Sequence, residues 1–248
     1  MRLSKLLILL IGVFALASTQ AAPSQHDTEA RIKALLTERF PGAGIQFVHA
    51  TQIPGWFEVA TESELVYTDE RADVLFVGKL LDTRTKVDLT SQRLSEIHSI
   101  DFRILPLAEA VKTVRGNGSR TVAIFEDPNC PYCKQLEGQI KDVTDVTIYT
   151  FLYPLEKVHP GATKRARAIW CAPDRADAWA KWMQQGVEPT AQAVCTNDPI
   201  DHLQTLGEQL KIVGTPMTFF ADGRRVEGVI DRAAMERQLD SSHSAESR

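Results

Sequence analysis

The fold is decided by the stretch Phe125-Glu126-Asp127-Pro128-Asn129-Cys130-Pro131-Tyr132-Cys133. An apolar strand pattern over residues 121–125 leads into it, and a helical pattern begins at the first cysteine. A thiol at a helix N-terminus lies beside unpaired backbone N–H groups and the positive end of the helix dipole, which favour its thiolate. Pro131 suits the first helical turn, where its missing N–H costs no hydrogen bond. The pattern indicates a redox-active dithiol, with half of a zinc site as the alternative.

The two cysteines are expected to have different roles in thiol–disulfide exchange. Cys130, expected to be exposed at the helix start, is the candidate attacking thiolate, with a pKa below the free value of about 8.5. It would form a mixed disulfide with a substrate, and the less exposed Cys133 would resolve it. Pro131 and Tyr132 are expected to shape the turn and offer an apolar contact rather than to react.

Three charged residues flank the cysteines. Lys134 adds a positive charge after the second cysteine, where it either aids a thiolate or is simply a solvated helix residue. Glu126 and Asp127 could raise a cysteine pKa or relay protons, but the favoured interpretation is that they solubilise the loop. His159 and His202 have no partner pattern, and we predict no role for them.

The composition is that of an ordinary soluble protein. Of 248 residues, 44% are hydrophobic and 24% are charged. This length suits one large or two modest domains. The formal net charge of −4 argues against nucleic-acid binding through bulk charge.

Residues 1–22 have the pattern of a secretory signal peptide. Basic Arg2 and Lys5 precede an apolar run over residues 6–17, and small residues follow. The run is short for a membrane span, although an uncleaved anchor helix is the alternative. In an oxidising compartment, the four cysteines are expected to form disulfides rather than bind metal, and no cofactor is predicted. The preferred compartment is the periplasm of a Gram-negative bacterium.

Residues 23–89 are predicted to form a small α+β domain without cysteine. A helix capped by Asp27 precedes short strand-like runs that turn residues separate. These runs cover residues 45–48, 56–59, 65–68, 74–77 and 86–89. Because the core of so small a unit is marginal alone, we expect this domain to pair with a copy of itself.

Residues 90–118 are predicted to form a helical linker. Thr90 would cap its first helix, and a second helix would cover residues 106–114. The Gly and polar residues at 115–120 weakly indicate a hinge, with an ordinary loop as the alternative.

Residues 119–241 are predicted to form an α/β domain, and residues 242–248 a frayed tail. The strands are expected at 121–125, 146–153, 216–220 and 225–230, and the helices at 130–141, 162–171, 176–185, 200–210 and 232–239. This strand–helix–strand opening, helical insertion and closing hairpin resemble a thioredoxin fold. Thr215-Pro216 then matches the cis-proline loop of that fold, where the resemblance implies that Thr215 offers its backbone to an extended substrate.

Further motifs resemble the DsbC/DsbG family of periplasmic disulfide isomerases of Gram-negative bacteria, over nearly the whole mature chain. They are residues 127–133, 168–172 (Ala-Ile-Trp-Cys-Ala) and 213–216 (Val-Gly-Thr-Pro). The resemblance implies a cystatin-like α+β dimerisation domain, joined by a helical linker to an α/β thioredoxin-fold domain with a helical insertion. It also implies a structural disulfide between Cys171 and Cys195. That disulfide favours DsbC, whereas the Pro-Tyr dipeptide between the active cysteines is the one found in DsbG.

The resemblance implies a homodimeric enzyme that isomerises or reduces incorrect disulfides in exported proteins through Cys130 and Cys133. It further implies chaperone activity, an apolar cleft between two dithiols, and a membrane reductase of the DsbD type as electron donor. One alternative is a DsbG-like reductase of single cysteines oxidised to sulfenic acid. Others are a binding protein that acts mainly as a chaperone, or a metal carrier. The sequence argues against the carrier because no His or third Cys stands at ligand spacing.

Overall fold

The computed structural model describes residues 24–61, 64–190 and 195–246. The predicted signal peptide, residues 1–22, lies outside the described residues. The chain divides into two compact units at Gly78 and Lys79, earlier than the predicted limit at residue 89. Within the described ranges, no helix is long and apolar enough to cross a membrane.

The first unit packs one helix on a four-stranded antiparallel sheet of order β1-β2-β3-β4. Its elements are α1 (Gln25–Arg39), β1 (Phe47–Ala50), β2 (Trp56–Ala60), β3 (Leu65–Asp69) and β4 (Leu75–Phe76). Apolar residues of α1 and of the strands share one core. This core contains Ile32, Leu36, Val48, Phe57, Val59, Val66 and Ala72.

Two predictions for the front of the chain are corrected. The cap of α1 is Ser24, not Asp27: the Ser24 hydroxyl accepts a hydrogen bond from the Asp27 N–H, and the Asp27 carboxylate accepts one from the Ser24 N–H, both at 3.2 Å. Residues 86–89 do not form the predicted strand. Lys86 has a φ of 63°, which interrupts an extended backbone, and Asp88 instead caps α2 (Leu89–Ile97).

The second unit is built on a five-stranded sheet of order β5-β7-β6-β8-β9, in which only β6 and β7 are parallel. Its remaining elements are β5 (Val111–Arg115), β6 (Arg120–Glu126), α3 (Pro131–Ile140), β7 (Val146–Leu152), α4 (Ala162–Trp170), α5 (Arg175–Ala180), α6 (Ile200–Gln209), β8 (Met217–Phe220), β9 (Arg225–Glu227) and α7 (Arg232–Glu246). From β6 onward, this order confirms the predicted arrangement of strands and helices.

Both faces of this sheet are covered by apolar packing. Alternate side chains of β6 point to opposite faces. Phe125 lies on the face covered by α6, where its ring stacks on Phe151 at 4.7 Å and meets Phe219 edge-on at 5.7 Å. Val122 and Ile124 lie on the other face, against α3 and α7. The strand that carries the dithiol loop is therefore held in the centre of the unit.

The predicted helix over residues 106–114 is wrong. In its place, a 3₁₀ turn covers Leu107–Glu109, and β5 begins at Val111. All five residues of β5 pair with β7. Its β-branched residues favour an extended backbone. The spacing of the apolar residues fits both a helix and a strand, and the long-range pairing with β7 selects the strand. Of the predicted helical linker, residues 90–118, only α2 is therefore an α-helix, and the whole segment belongs to the second unit.

The structure supports the loop interpretation of residues 115–120 and corrects the predicted tail. Residues 116–119 form a turn between β5 and β6, and Asp145 holds it by accepting a hydrogen bond from the Asn117 N–H at 3.1 Å. The segment is thus a loop within the second unit. At the other end of the chain, α7 continues to Glu246, and Ser242 is buried. Residues 242–246 are therefore helical rather than frayed.

Candidate active site

The loop between β6 and α3 places the dithiol at the start of a helix. Cys130 is the N-cap of α3, with an extended backbone, and Pro131 occupies the first turn. Cys133 lies one turn into the helix and is fully buried. Neither cysteine is part of a disulfide in the structure. The unpaired N–H groups and the positive end of the helix dipole therefore face Cys130, as the sequence indicates.

Cys130 is less exposed than predicted. Only 3% of its surface is accessible, whereas Tyr132 beside it is 62% exposed. The cover comes partly from the segment before β8, where Thr215-Pro216 is a cis peptide. The Cys130 thiol donates a hydrogen bond to the Thr215 carbonyl at 3.4 Å. The structure thus brings together the four residues from the dithiol motif and the two from the Thr-Pro motif.

The two thiols differ strongly in acidity. A hydrogen bond from the Cys133 thiol lowers the pKa of Cys130 to about 5, and the N–H groups of Cys133 and Tyr132 assist. Burial raises the pKa of Cys133 far above its usual range, and its hydrogen bond to Cys130 and the nearby Glu126 carboxyl raise it further. At neutral pH, the pair therefore consists of one thiolate and one thiol.

We expect alkylation of Cys130 by iodoacetamide to be nearly independent of pH from 7 to 9. Because the pKa of Cys130 is about 5, the thiolate is fully formed from pH 7 to 9. It is lost only as the pH falls through the pKa. Below the pKa, the rate should fall about tenfold per pH unit. The measurement is the alkylation rate of the reduced protein by mass spectrometry. Cys133→Ala should move the midpoint upward, and a wild-type midpoint near 8.5 would contradict the assignment.

Asp127 is a buried structural acid, not the solubilising loop residue that was expected. It is fully buried, and its carboxylate accepts hydrogen bonds from the backbone N–H groups of Asn129 at 2.6 Å and Leu155 at 2.7 Å. Its Oδ2 also lies 2.9 Å from Nδ1 of His159. These three bonds fix the loop that carries Cys130. His159, for which no role was predicted, takes part in this support.

Lys134 has an aromatic partner. Its Nζ lies 4.2 Å from the ring centre of Trp182, and the guanidinium of Arg165 lies 3.9 Å from the same ring. Cations over an aromatic face are attracted by its electrons. The Trp182 Nε1 donates to the Pro128 carbonyl at 2.6 Å. The Trp182 side chain therefore supports the dithiol loop. Groups other than Lys134 account for the low pKa of Cys130.

Two buried carboxyls lie near Cys133. Glu126 is fully buried, Glu137 is 3% exposed, and both oxygens of Glu126 lack a hydrogen-bond donor among the described residues. Glu137 accepts a hydrogen bond from Trp179 Nε1 at 3.1 Å, and Arg115 lies 3.8 Å from its second oxygen. Burial, and then the adjacent Glu137, raise the pKa of Glu126 well above its usual value. The expectation that Glu126 solubilises the loop is therefore wrong.

A shallow groove of about 330 Å³ adjoins the dithiol. Its walls include Tyr132 and Gln135 from α3, Gly214 and Thr215 from the segment before β8, and Glu227 from β9. Tyr132 and Thr215 are two of the residues predicted to support the substrate. The groove leads past the Thr215 backbone, where an extended chain could lie beside Cys130.

Cys171 and Cys195 form a disulfide, with their Cα atoms 5.6 Å apart. The bond ties the end of α4 to the segment before α6 and packs against a core that includes Trp170. It closes the helical insertion that the sequence places in this domain. No group of three His, Cys, Asp or Glu side chains in the described part of the chain could hold a metal ion.

Family comparisons agree with this arrangement. The model of a thioredoxin-like domain matches residues 107–243, and the model of the disulfide bond isomerase N-terminal domain matches residues 19–91. The first match contains the dithiol, the disulfide and the Thr-Pro peptide. The second covers nearly the same residues as the α+β domain predicted at 23–89.

Whole-chain relatives agree as well. The probable thiol:disulfide interchange protein DsbC of Bordetella pertussis is 42% identical over 222 residues, which cover 90% of this chain and 77% of that protein. The thiol:disulfide interchange protein DsbC of Escherichia coli K12 is 25% identical and covers 92% and 94%. A crystal structure of a disulfide interchange protein from Neisseria gonorrhoeae is 41% identical, with a TM-score of 0.54, over 56% of this chain and 99% of that one. The chain therefore belongs to the DsbC family of thiol:disulfide interchange enzymes.

Proposed function

We propose that this enzyme isomerises and reduces incorrect disulfides in exported proteins of a Gram-negative periplasm. The observation that supports this most strongly is the asymmetry of its dithiol. Cys130 has a pKa of about 5 at the start of a helix, while Cys133 is buried and stays protonated. A thiolate is the attacking species in disulfide exchange, so one cysteine is ready to attack and the other is held in reserve.

The reaction begins when the Cys130 thiolate attacks one sulfur of a client disulfide. The client S–S bond breaks, its second sulfur leaves as a thiolate, and a mixed disulfide forms. In isomerisation, another client thiolate attacks the client sulfur of this bond, so Cys130 leaves as a thiolate. In reduction, Cys133 loses its proton and attacks Cys130, which produces a Cys130–Cys133 disulfide and a client thiolate.

The groove beside the dithiol is the proposed client site. An extended client segment would pair with the backbone of Thr215, as an added strand does. Tyr132, with 62% of its surface exposed, would contact apolar client side chains next to the cysteine. Pro216 and Pro131 would shape the two sides of the site. Because clients are exported, this proposal includes removal of the signal at residues 1–22.

The enzyme must start each isomerisation with Cys130 reduced. Any client that leaves by the reductive route oxidises the dithiol, so an electron donor has to restore it. We propose a membrane reductase of the DsbD type as that donor, on the basis of the family. The low pKa of Cys130 makes it a good leaving group in this reduction.

The first unit is proposed to form a homodimer. Its edge strand β4 and the adjoining residues expose a row of apolar side chains, with exposed fractions of 58% for Val74, 40% for Phe76 and 71% for Val77. An exposed apolar edge strand is a template for pairing with another chain. Two copies that met through β4 would continue the sheet and cover these side chains.

We expect a dimer at micromolar concentration and a monomer when Phe76 and Val77 are replaced by Asp. The charges would be buried without partners at the proposed contact. Light scattering of the mature protein measures the mass directly. Val158→Asp is the matched control, because Val158 is also an exposed apolar residue, 67% accessible, but belongs to the second unit. A monomeric wild type would contradict the proposal.

Two other functions share the same site, and one experiment separates them. We expect the reduced enzyme to unscramble a multi-disulfide client faster than it reduces a sulfenylated single-cysteine protein. A preference for the sulfenylated protein would favour the DsbG-like alternative. A mainly chaperone-type protein would instead suppress client aggregation equally well after Cys130→Ala, without catalysing either reaction. Both substrates are assayed at the same enzyme concentration and pH.

A further inference from the structure

We infer that Glu227 makes the client groove selective for basic segments: its carboxylate binds a Lys or Arg side chain close to the client cysteine, so that such cysteines react faster with Cys130. The inference rests on the proposed function and adds to it the chemical class of the preferred client. Its basis is a carboxylate without a partner among the described residues, in a groove wall that is otherwise uncharged.

Glu227 supplies the charge of the groove. It is exposed at the end of β9. The other lining residues are uncharged, namely Tyr132, Gln135, Gly214, Thr215, Gly228 and Val229. A cleft lined by charge of one sign raises the local concentration of groups of the opposite sign. The groove beside the dithiol therefore attracts a cationic side chain more strongly than a neutral or an acidic one.

Two contacts hold Glu227 beside the Thr-Pro peptide. Glu227 pairs with Met217 in the ladder between β8 and β9, and the Gly228 N–H donates to the Pro216 carbonyl at 2.9 Å. Gly228 has a φ of 81°, a conformation that favours glycine, and β9 ends just before it. The backbone that carries the carboxylate is therefore tied to the segment proposed to pair with the client.

The carboxylate lies beside the backbone that precedes Thr215. Its Oε1 is 3.7 Å from the position that a Cβ atom on Gly214 would take. Apart from Gly214 and its two chain neighbours, no other atom of the described residues comes within 4 Å of that position. Glycine at 214 therefore leaves the space in front of Glu227 open to a client side chain.

Glu227 has no internal partner in the described part of the chain. No hydrogen bond or ion pair there involves its carboxylate, and Asp127 shows the contrast, with bonds from two backbone N–H groups. Arg225 lies two residues earlier on the same face of β9. Its guanidinium donates to the Leu210 carbonyl at 2.9 Å instead. The contacts of Glu227 thus give it no structural task that would account for an acid at this place.

The cations near the dithiol lie on another side of α3. Lys134 follows Tyr132 by two residues, which is about 200° around the helix. Its Nζ lies 4.2 Å from the ring centre of Trp182, over which the Arg165 guanidinium also lies. These two cations therefore pack on the support of the dithiol loop and leave Glu227 to a cation from the client.

The geometry of an extended client selects the positions to test. Every second side chain of an extended segment points to the same face. When the client cysteine faces Cys130, the residues two before and two after it face the enzyme as well, roughly 7 Å away along the segment. A basic side chain at these positions is the one that would reach the groove.

The test uses symmetric peptide dimers, in which two copies of one peptide are joined by a disulfide between their central cysteines. The peptides differ only in having Lys, Gln or Glu two residues before and after the cysteine. Each is mixed with the reduced full-length mature protein at pH 7 and low salt. Acid quenching and mass spectrometry give the rate of mixed-disulfide formation.

We expect the Lys-to-Gln rate ratio to be roughly fivefold higher for the wild type than for Glu227→Gln, the effect of one close ion pair in water. Taking the ratio within each enzyme cancels the effect of the peptide's own charge on its disulfide. Glu227→Lys should shift the ratio in the opposite direction and favour the Glu peptide. In 1 M salt, where charges are screened beyond about 3 Å, the wild-type ratio should approach that of Glu227→Gln.

Asp142→Asn is the matched control, because Asp142 is an exposed acid beyond the far end of α3 in the same unit. It should keep the wild-type ratio. Equal ratios in the wild type and Glu227→Gln would overturn the inference and leave the proposed function intact. A fall of the same size in Asp142→Asn would also overturn it, because net charge would then be the cause. A wild type that forms no mixed disulfide with any of the peptides would contradict the proposed function instead.

Discussion

Cys130→Ala is expected to abolish unscrambling of a multi-disulfide client, so that the rate equals that without protein. Attack on the client requires a thiolate, and the remaining thiol, Cys133, is fully buried with a strongly raised pKa. Cys171 and Cys195 are joined in a disulfide and have no free thiol. Recovery of the client's activity from its scrambled form measures the rate.

Cys133→Ala is the informative companion of this variant. It retains Cys130, so a client thiol can still release the enzyme and complete isomerisation, although the pKa of Cys130 should rise without the Cys133 hydrogen bond. We therefore expect slower but measurable unscrambling, with accumulation of mixed disulfide. Full unscrambling activity in Cys130→Ala would rule out the dithiol as the site of exchange.

Removing the second disulfide should destabilise the catalytic unit by about 3 kcal/mol, because the crosslink restricts a loop in the unfolded chain. The bond joins residues 24 positions apart and ties α4 to the segment before α6. The measurement is urea unfolding of the double variant Cys171→Ala/Cys195→Ala, followed by tryptophan fluorescence. Three of the four tryptophans, at positions 170, 179 and 182, report on this unit.

The control for this variant is the wild type with the same bond reduced. The Cys130–Cys133 pair is kept reduced in all samples, so that each of these two proteins differs from the bonded wild type in the structural bond. We expect the variant and the wild type with this bond reduced to unfold at similar urea concentrations. A loss below about 1 kcal/mol would show that the insertion is held by packing around Trp170 rather than by the crosslink.

The catalytic centre was largely predictable from local patterns. An apolar strand, a four-residue loop and a proline in the first turn specify where a thiol meets a helix N-terminus, and α3 begins at Pro131, one residue after the predicted start, with Cys130 as its N-cap. Thr215-Pro216 is cis, as the family resemblance implies, and Cys171–Cys195 is bonded. These features depend on short-range geometry or on recognised motifs.

Features that depend on distant contacts were predicted less well. Residues 111–114 fit both a helix and a strand, and pairing with β7 selects the strand. Asp127 is fixed by its hydrogen bonds to Leu155 and His159, far along the chain. Since no local pattern contains those partners, the sequence around Asp127 resembles that of a solvated loop.

The burial of Glu126 has a signal in the strand pattern. It continues the alternation of Val122 and Ile124, whose face is covered by α3. When the alternation of Val122 and Ile124 is continued by two residues, it places the Glu126 carboxyl on the same buried face of β6. The predicted exposure of Cys130 is too high for a different reason, because the segment that covers it at Thr215 is distant in sequence.

Trapping the mixed disulfide tests most directly whether Cys130 is the nucleophile of this enzyme. Cys133→Ala is mixed with a scrambled client at pH 7, alkylated, digested without reduction and mapped by mass spectrometry. We predict a covalent bond between Cys130 and a client cysteine, which is absent when Cys130 is also replaced by Ala. A bond to another residue, or no bond under conditions in which the wild type unscrambles the same client, would contradict the assignment.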